Sequence, residues 1–132
     1  MSVLTKILYV EDEPDIQAVA KIALEAVGGF TVCVCSSGSE ALAKVLDFAP
    51  DLVLLDVMMP GMDGPATLKA LKNIPELDPL PFVFMTAKVQ PSEVEYFKSL
   101  GALDVIPKPF DPMTLSDKVN EIWQAWEHTH GS

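Results

Sequence analysis

The stretch DLVLLDVMMPGMDG, residues 51–64, decides how the rest of the chain is read. Leu52 to Leu55 is a continuous apolar run, the pattern of a strand covered on both faces, and it ends on Asp56. Pro60, Gly61 and Gly64 then break the chain before a helix predicted near Pro65 to Asn73. A strand of this kind belongs to a sheet with helices on either side, so the flanking sequence should alternate strand and helix.

It does so in both directions. Toward the N-terminus, Lys6 to Val10 reads as a strand, followed by a helix with Ile16, Val19, Ala20, Ala23 and Val27 on one face. Gly28 and Gly29 end that helix, and Phe30 to Cys35 forms a second β-rich run. Ser37 and Glu40 make a capping box before Ala41, Leu42, Val45, Leu46 and Ala49. Toward the C-terminus, Pro81 precedes a fourth strand, Phe82 to Met85, and a fourth helix follows from about Pro91 to Leu100. A brief fifth strand lies around Val105 and Ile106, and the last helix, from about Asp111, carries Leu115, Val119, Ile122 and Trp126 at helical spacing. Five such units with short connections predict an α/β fold, a doubly wound five-stranded parallel sheet with five helices.

The composition narrows the function. At 132 residues and 49% apolar, the chain is sized for one domain with a continuous core. Nineteen acidic residues against nine basic ones give a net charge of −10, which argues against direct nucleic-acid binding. The apolar runs are too short to insert in a membrane, and the N-terminus lacks the features of a signal peptide, so a cytoplasmic location is expected. Cys33 and Cys35, two apart in a strand, are expected to be packed or free thiols, because a bridge between them would be strained. His128 and His130 fall in a polar tail and carry no assigned role, and Trp123 and Trp126 are expected to pack the last helix on the sheet.

Ligands of an open doubly wound sheet gather outside the carboxyl ends of its strands. Glu11 and Asp12 follow the first strand, Asp56 ends the third, Thr86 ends the fourth, and Lys108 follows the fifth. Carboxylates gathered on one edge repel one another unless a cation relieves them, and hard oxygen donors suit Mg2+ or Mn2+. Lys108 adds positive charge and Thr86 a hydroxyl donor, the remaining needs of a phosphoryl group. Asp56, rigidly placed at the sheet centre, is then the nucleophile, and an aspartyl phosphate is the expected product.

At these residues the chain resembles the receiver domains of two-component response regulators. The carrying segments are ILYVEDE (7–13), LLDVMMPGMDG (54–64), Met85-Thr86-Ala87 and Lys108-Pro109-Phe110, and the match spans nearly the whole chain. The resemblance implies a flavodoxin-like sheet in the order 2-1-3-4-5, with the receiver domain over residues 1–127 and a polar tail over 128–132. It implies that Asp56 is phosphorylated by a sensor histidine kinase or histidine phosphotransfer protein and that a downstream effector reads the result. It further implies that Asp12, Asp56 and the Met58 carbonyl bind Mg2+, with Glu11 acting through water. Thr86, Lys108 and the backbone N–H of Ala87 would contact the phosphoryl oxygens, and the Lys108–Pro109 bond would be cis. No output module follows the fifth helix, so the chain either acts alone or is part of a longer protein.

Two positions depart from the family pattern. Val105 stands where receivers commonly carry an aromatic ring that reports the state of the switch threonine, and Leu103 stands at a place often acidic. Among rivals, an FMN-binding flavodoxin would need hydroxyls and N–H groups in its first loop, where this chain has Glu11-Asp12-Glu13. A haloacid-dehalogenase-type phosphatase needs a second acid two residues after the nucleophile, where this chain has Met58. A pseudo-receiver would not be expected to keep the full acidic set.

Overall fold

The structure, a computed structural model, describes residues 3–130. Five strands, β1 (Lys6–Val10), β2 (Thr31–Cys35), β3 (Leu52–Asp56), β4 (Phe82–Thr86) and β5 (Asp104–Pro107), form one sheet in the order β2-β1-β3-β4-β5. Every pairing is parallel. This is the predicted sheet, in the order the family resemblance implies. β3 and β4 are buried along their whole length, which is why their sequences read as unbroken apolar runs.

The helices divide between the faces. Helix α1 (Pro14–Ile22), its π-helical continuation (Ala23–Val27) and α5 (Leu115–His130) cover Ile7, Tyr9, Leu52, Leu54, Val83, Met85 and Ile106. Helices α2 (Gly38–Phe48), α3 (Gly64–Lys72) and α4 (Pro91–Ser99) cover Leu8, Val10, Val53, Leu55, Phe82, Phe84 and Val105. A 3-10 turn, Pro75–Leu77, joins α3 to β4.

Several local readings shift. Val19 and Val27, assigned to the buried face of the first helix, are 44% and 47% exposed, whereas Leu24 is fully buried. The π turn explains Val27, because its wider winding changes the phase after Ile22 and carries that residue outward, whereas Leu24, four residues after Ala20, faces inward at ordinary helical spacing. In α2, Leu46 is exposed and Phe48 packs against the core in its place. The capping box also slips by one residue. Ser37 Oγ accepts from the Glu40 N–H, while the Glu40 carboxylate accepts from the N–H of Ser36 rather than Ser37. Helix α5 starts at Leu115, after a turn in which the Leu115 N–H donates to the Asp111 carbonyl, and runs through His130 into the segment expected as a tail. Residues 131 and 132 lie outside the described residues. Trp123 is buried and Trp126 packs beside it, their ring centroids 5.3 Å apart, and both cysteines are free thiols, as expected. No helix of the described residues is long and apolar enough to cross a membrane.

Candidate functional site

Strand alternation builds the site. Ile7, Tyr9 and Glu11 fall on one face, as do Leu54 with Asp56, and the parity of Ile106 in β5 extends to Lys108. Because all strands are parallel, their carboxyl ends lie together, and residues distant in sequence become neighbours. The Lys108 ammonium donates to Asp56 Oδ1 at 2.9 Å and to Glu11 Oε1 at 3.0 Å, bridging positions 52 and 97 residues away. Glu11, Asp12 and Asp56 each place a carboxylate oxygen within 4.8 Å of the others.

The surrounding backbone holds this arrangement. The Glu11 N–H donates to the Cys35 carbonyl at 3.0 Å, tying the end of β1 to β2. The other oxygen of Glu11, Oε2, accepts from the Glu13 N–H at 3.2 Å, and the Gln17 amide donates to the Glu11 carbonyl. Beyond Asp56, the Val57 N–H reaches the Met85 carbonyl at 3.2 Å, and the Gly64 N–H returns to the Val57 carbonyl at 2.9 Å. Asp63 caps α3 through its carboxylate on the Ala66 N–H. The Lys108 N–H donates to the Thr86 carbonyl at 2.9 Å, so β4 and β5 deliver Thr86 and Lys108 to the same edge. The Lys108–Pro109 bond is cis, as is Asp78–Pro79.

Charge in this setting is held against burial. Glu11 and Asp56 are 1% and 4% exposed. Burial pushes both carboxyl pKa values above their ordinary range, against the opposing pull of Lys108, and mutual repulsion with neighbouring acids adds to the rise. Burial works against the Lys108 charge as well, but the hydrogen bonds to Asp56 and Glu11 outweigh it and raise its pKa. A folded carboxyl with a raised pKa keeps a proton that the unfolded chain has released. Stability of the metal-free protein should therefore fall as pH rises from the ordinary carboxylate range, about pH 4, through the raised folded values. Thermal unfolding in EDTA across this range should show that decline; a flat profile would contradict the expectation.

Of the residues singled out from sequence, Glu11, Asp12, Asp56 and Lys108 come together. Thr86 is buried at the same edge, but its hydroxyl accepts from the Lys88 N–H at 3.1 Å rather than facing a carboxylate partner. The Ala87 and Met58 side chains are exposed beside it. Three contributors were not singled out. Tyr9 is fully buried next to the cluster, and the two-residue repeat of β1 was the signal that could have found it. Gln17 reaches back from α1, which no spacing announces. Gly64 lies so close to Asp56 that a side-chain carbon there would stand 2.5 Å from the Asp56 carbonyl oxygen.

A parallel sheet in this order, with acids and one lysine joined at its carboxyl edge, defines the class of small flavodoxin-like signalling domains. Residues 7–120 match the family described as the response regulator receiver domain. The response regulator SaeR of Staphylococcus epidermidis is 38% identical over 119 residues, 90% of this chain and 50% of that protein. SaeR of Staphylococcus aureus is 35% identical over 127 residues, 96% of this chain and 54% of that protein. The chain thus spans about half the length of these curated relatives. The chemotaxis protein CheY4 of Vibrio cholerae superposes with a TM-score of 0.83 at 29% identity, covering 91% of this chain and 99% of that one. A CheY-like receiver domain protein from Methanospirillum hungatei gives 0.79 at 29% identity, covering 96% and 99%. The chain belongs to the response regulator receiver domain family of two-component signalling.

Proposed function

We propose that the chain accepts a phosphoryl group on Asp56 from a phosphohistidine donor, in a Mg2+-dependent step, and that the aspartyl phosphate switches its binding to a downstream effector. The observation that carries this reading is the Lys108 ammonium bridging Asp56 and Glu11 inside a cluster of three carboxylates. The donor is a sensor histidine kinase or a histidine phosphotransfer protein.

The donor set fits a small divalent cation, since three carboxylate oxygens within 4.8 Å outnumber the single lysine charge. Asp12, Asp56 and the Met58 carbonyl would hold Mg2+, with Mn2+ also suited, and Glu11 would act through water. When bound, the ion offsets the charge of the carboxylates and the phosphoryl oxygens together. An oxygen of Asp56 attacks phosphorus, a P–O bond forms and the P–N bond of the donor breaks. The electron pair passes to the imidazole nitrogen, which takes a proton from solvent. Asp56 is consumed in the step and regenerated only when the acyl phosphate is hydrolysed, so the protein is an acceptor that assists its own chemistry and not a turnover enzyme.

Lys108 and Thr86 would receive the phosphoryl oxygens, with the Ala87 N–H beside them. This requires Lys108 to leave its present carboxylate partners and the Thr86 hydroxyl to leave the Lys88 N–H. Lys108→Ala should slow labelling by acetyl phosphate about 100-fold and shrink the chemical-shift changes of the phosphorylated form. Identical changes in variant and wild type would contradict the link between β5 and the phosphoryl group.

Val105 is 7% exposed and packs in the core cluster with Phe84, Phe97 and Ala102, so it has no ring to carry the switch outward. A coupled change is limited to the differential contacts that phosphate makes, and these fall on Thr86, Lys108 and the loop after β4. In a beryllofluoride complex, where the fluoride adduct stands for the phosphoryl group, NMR should show Thr86 moving and the outer face of β5 changing little. A rearrangement centred on Val105 with Thr86 unmoved would contradict this.

A further inference from the structure

Tyr9 lies in the middle of the apolar cluster under α1 and α5 and is fully buried. Its hydroxyl is a buried side-chain oxygen with no hydrogen-bond partner among the described residues. Folded proteins rarely leave such a group unpaired, because water would have satisfied it in the unfolded chain. The orphan sits where a partner is close. Strand parity puts Tyr9 on the Glu11 face of β1, and the register sets it against Leu54, two residues before Asp56. The hydroxyl lies close to the Glu11 carboxylate and feels the charges of Glu11 and Asp56, but it meets neither at full hydrogen-bond distance and angle. The phenol O–H is a hydrogen-bond donor.

Glu11 has room for that donor. A carboxylate offers about four acceptor sites. Here Oε1 takes the Lys108 ammonium and Oε2 the Glu13 N–H. If Lys108 turns to a phosphoryl group, Oε1 loses its cation while remaining buried. We propose that Tyr9 is a positioning residue for Glu11: its hydroxyl donates to the Glu11 carboxylate once Lys108 has left, holding that carboxylate in place behind the metal and phosphoryl site. This rests on the Mg2+-dependent phosphoryl reading above. The hydroxyl is unpaired in the resting form and paired in the loaded one, and that difference favours the loaded form.

The two states make Tyr9→Phe diagnostic, since only the hydroxyl is removed and the ring still fills its site. In EDTA the variant should unfold at the same temperature as wild type or a few degrees higher, having lost a buried unpaired oxygen. Measured in the beryllofluoride complex, which stands for the loaded form, its Mg2+ dissociation constant should rise about 10-fold, the effect typical of losing a group that orients a metal's ligand, and its labelling by acetyl phosphate should slow in step. In a Glu11→Gln background the same substitution should change that constant little, because Tyr9 acts through that carboxylate. An unchanged Mg2+ constant of the beryllofluoride complex in the single variant, beside a wild type that binds Mg2+ and is labelled, would overturn the role of Tyr9 and leave the phosphoryl reading standing. A fall in unfolding temperature in EDTA would also overturn it, since lost packing gives that result. A wild type that neither binds Mg2+ nor accepts phosphate would overturn both.

Discussion

Asp56→Asn is expected to abolish labelling by a phosphorylated kinase or by acetyl phosphate, with intact mass showing no added phosphoryl group. An amide oxygen is too weak a nucleophile to open the phosphorus–nitrogen or acyl–phosphate bond, so the loss should be at least about 1,000-fold. Unfolding cannot account for it. The Asp56 carboxyl is buried and its pKa is raised, first by burial and then by repulsion from Asp12 and Glu13, so removing its charge relieves the metal-free protein. Lys108 keeps Glu11 as its partner at 3.0 Å. The variant should therefore be about as stable as wild type in EDTA, while its response to Mg2+ is weakened. One phosphoryl group found on the variant would move the acceptor to another residue.

Gly64→Ala is expected to give the largest loss of stability among single-atom additions near the site. The new carbon would meet the Asp56 carbonyl oxygen at 2.5 Å, the Val57 Cα at 2.8 Å and the Phe84 ring at 3.1 Å. Two of these are backbone atoms of the β3 end, which sits between β1 and β4 and has no free direction to yield. Overpacking of this kind costs about 3 kcal/mol, which for a domain of this length lowers the unfolding temperature by about 10 °C. Whatever relief occurs must push Asp56 or the start of α3. The distance from Asp56 Oδ1 to Lys108 Nζ, now 2.9 Å, should lengthen, and labelling should fall by at least about 10-fold even below the melting range. A variant with unchanged melting and labelling would show that α3 can shift without cost.

Most of the architecture was legible because both of its periodicities are written locally. The burial of β3 and β4 on two faces leaves an unbroken apolar run, helix α2 announces itself by the Ser37 cap, and α3 by the Pro60, Gly61 and Gly64 break before it. Parity along β1 and β3 then puts Glu11 and Asp56 at strand ends. The first helix was misread in part because a π turn has no local marker: Val27 turns outward through the change of winding that begins after Ile22. The end of the last helix was misread for a related reason. His128 is polar and exposed, but polarity on the outer face of a helix does not stop it.

By itself, then, the sequence determined the order of elements, the strand ends that carry Glu11, Asp12, Asp56, Thr86 and Lys108, and, through their residue types, the kind of chemistry that edge could support. Those properties depend on each residue and its near neighbours. Only the tertiary structure decided that Lys108 bridges Asp56 and Glu11, that Thr86 rests its hydroxyl on the Lys88 N–H, that Gly64 presses against the Asp56 carbonyl, and that the Tyr9 hydroxyl is left without a partner beside Glu11. The Lys108 bridge is a set of distances between atoms on different strands and the others are close fits at strand ends, all fixed by the parallel register of the sheet and by the helices that close its faces. Hydrogen bonds and steric contacts change steeply over fractions of an ångström, and no spacing along one chain carries that information.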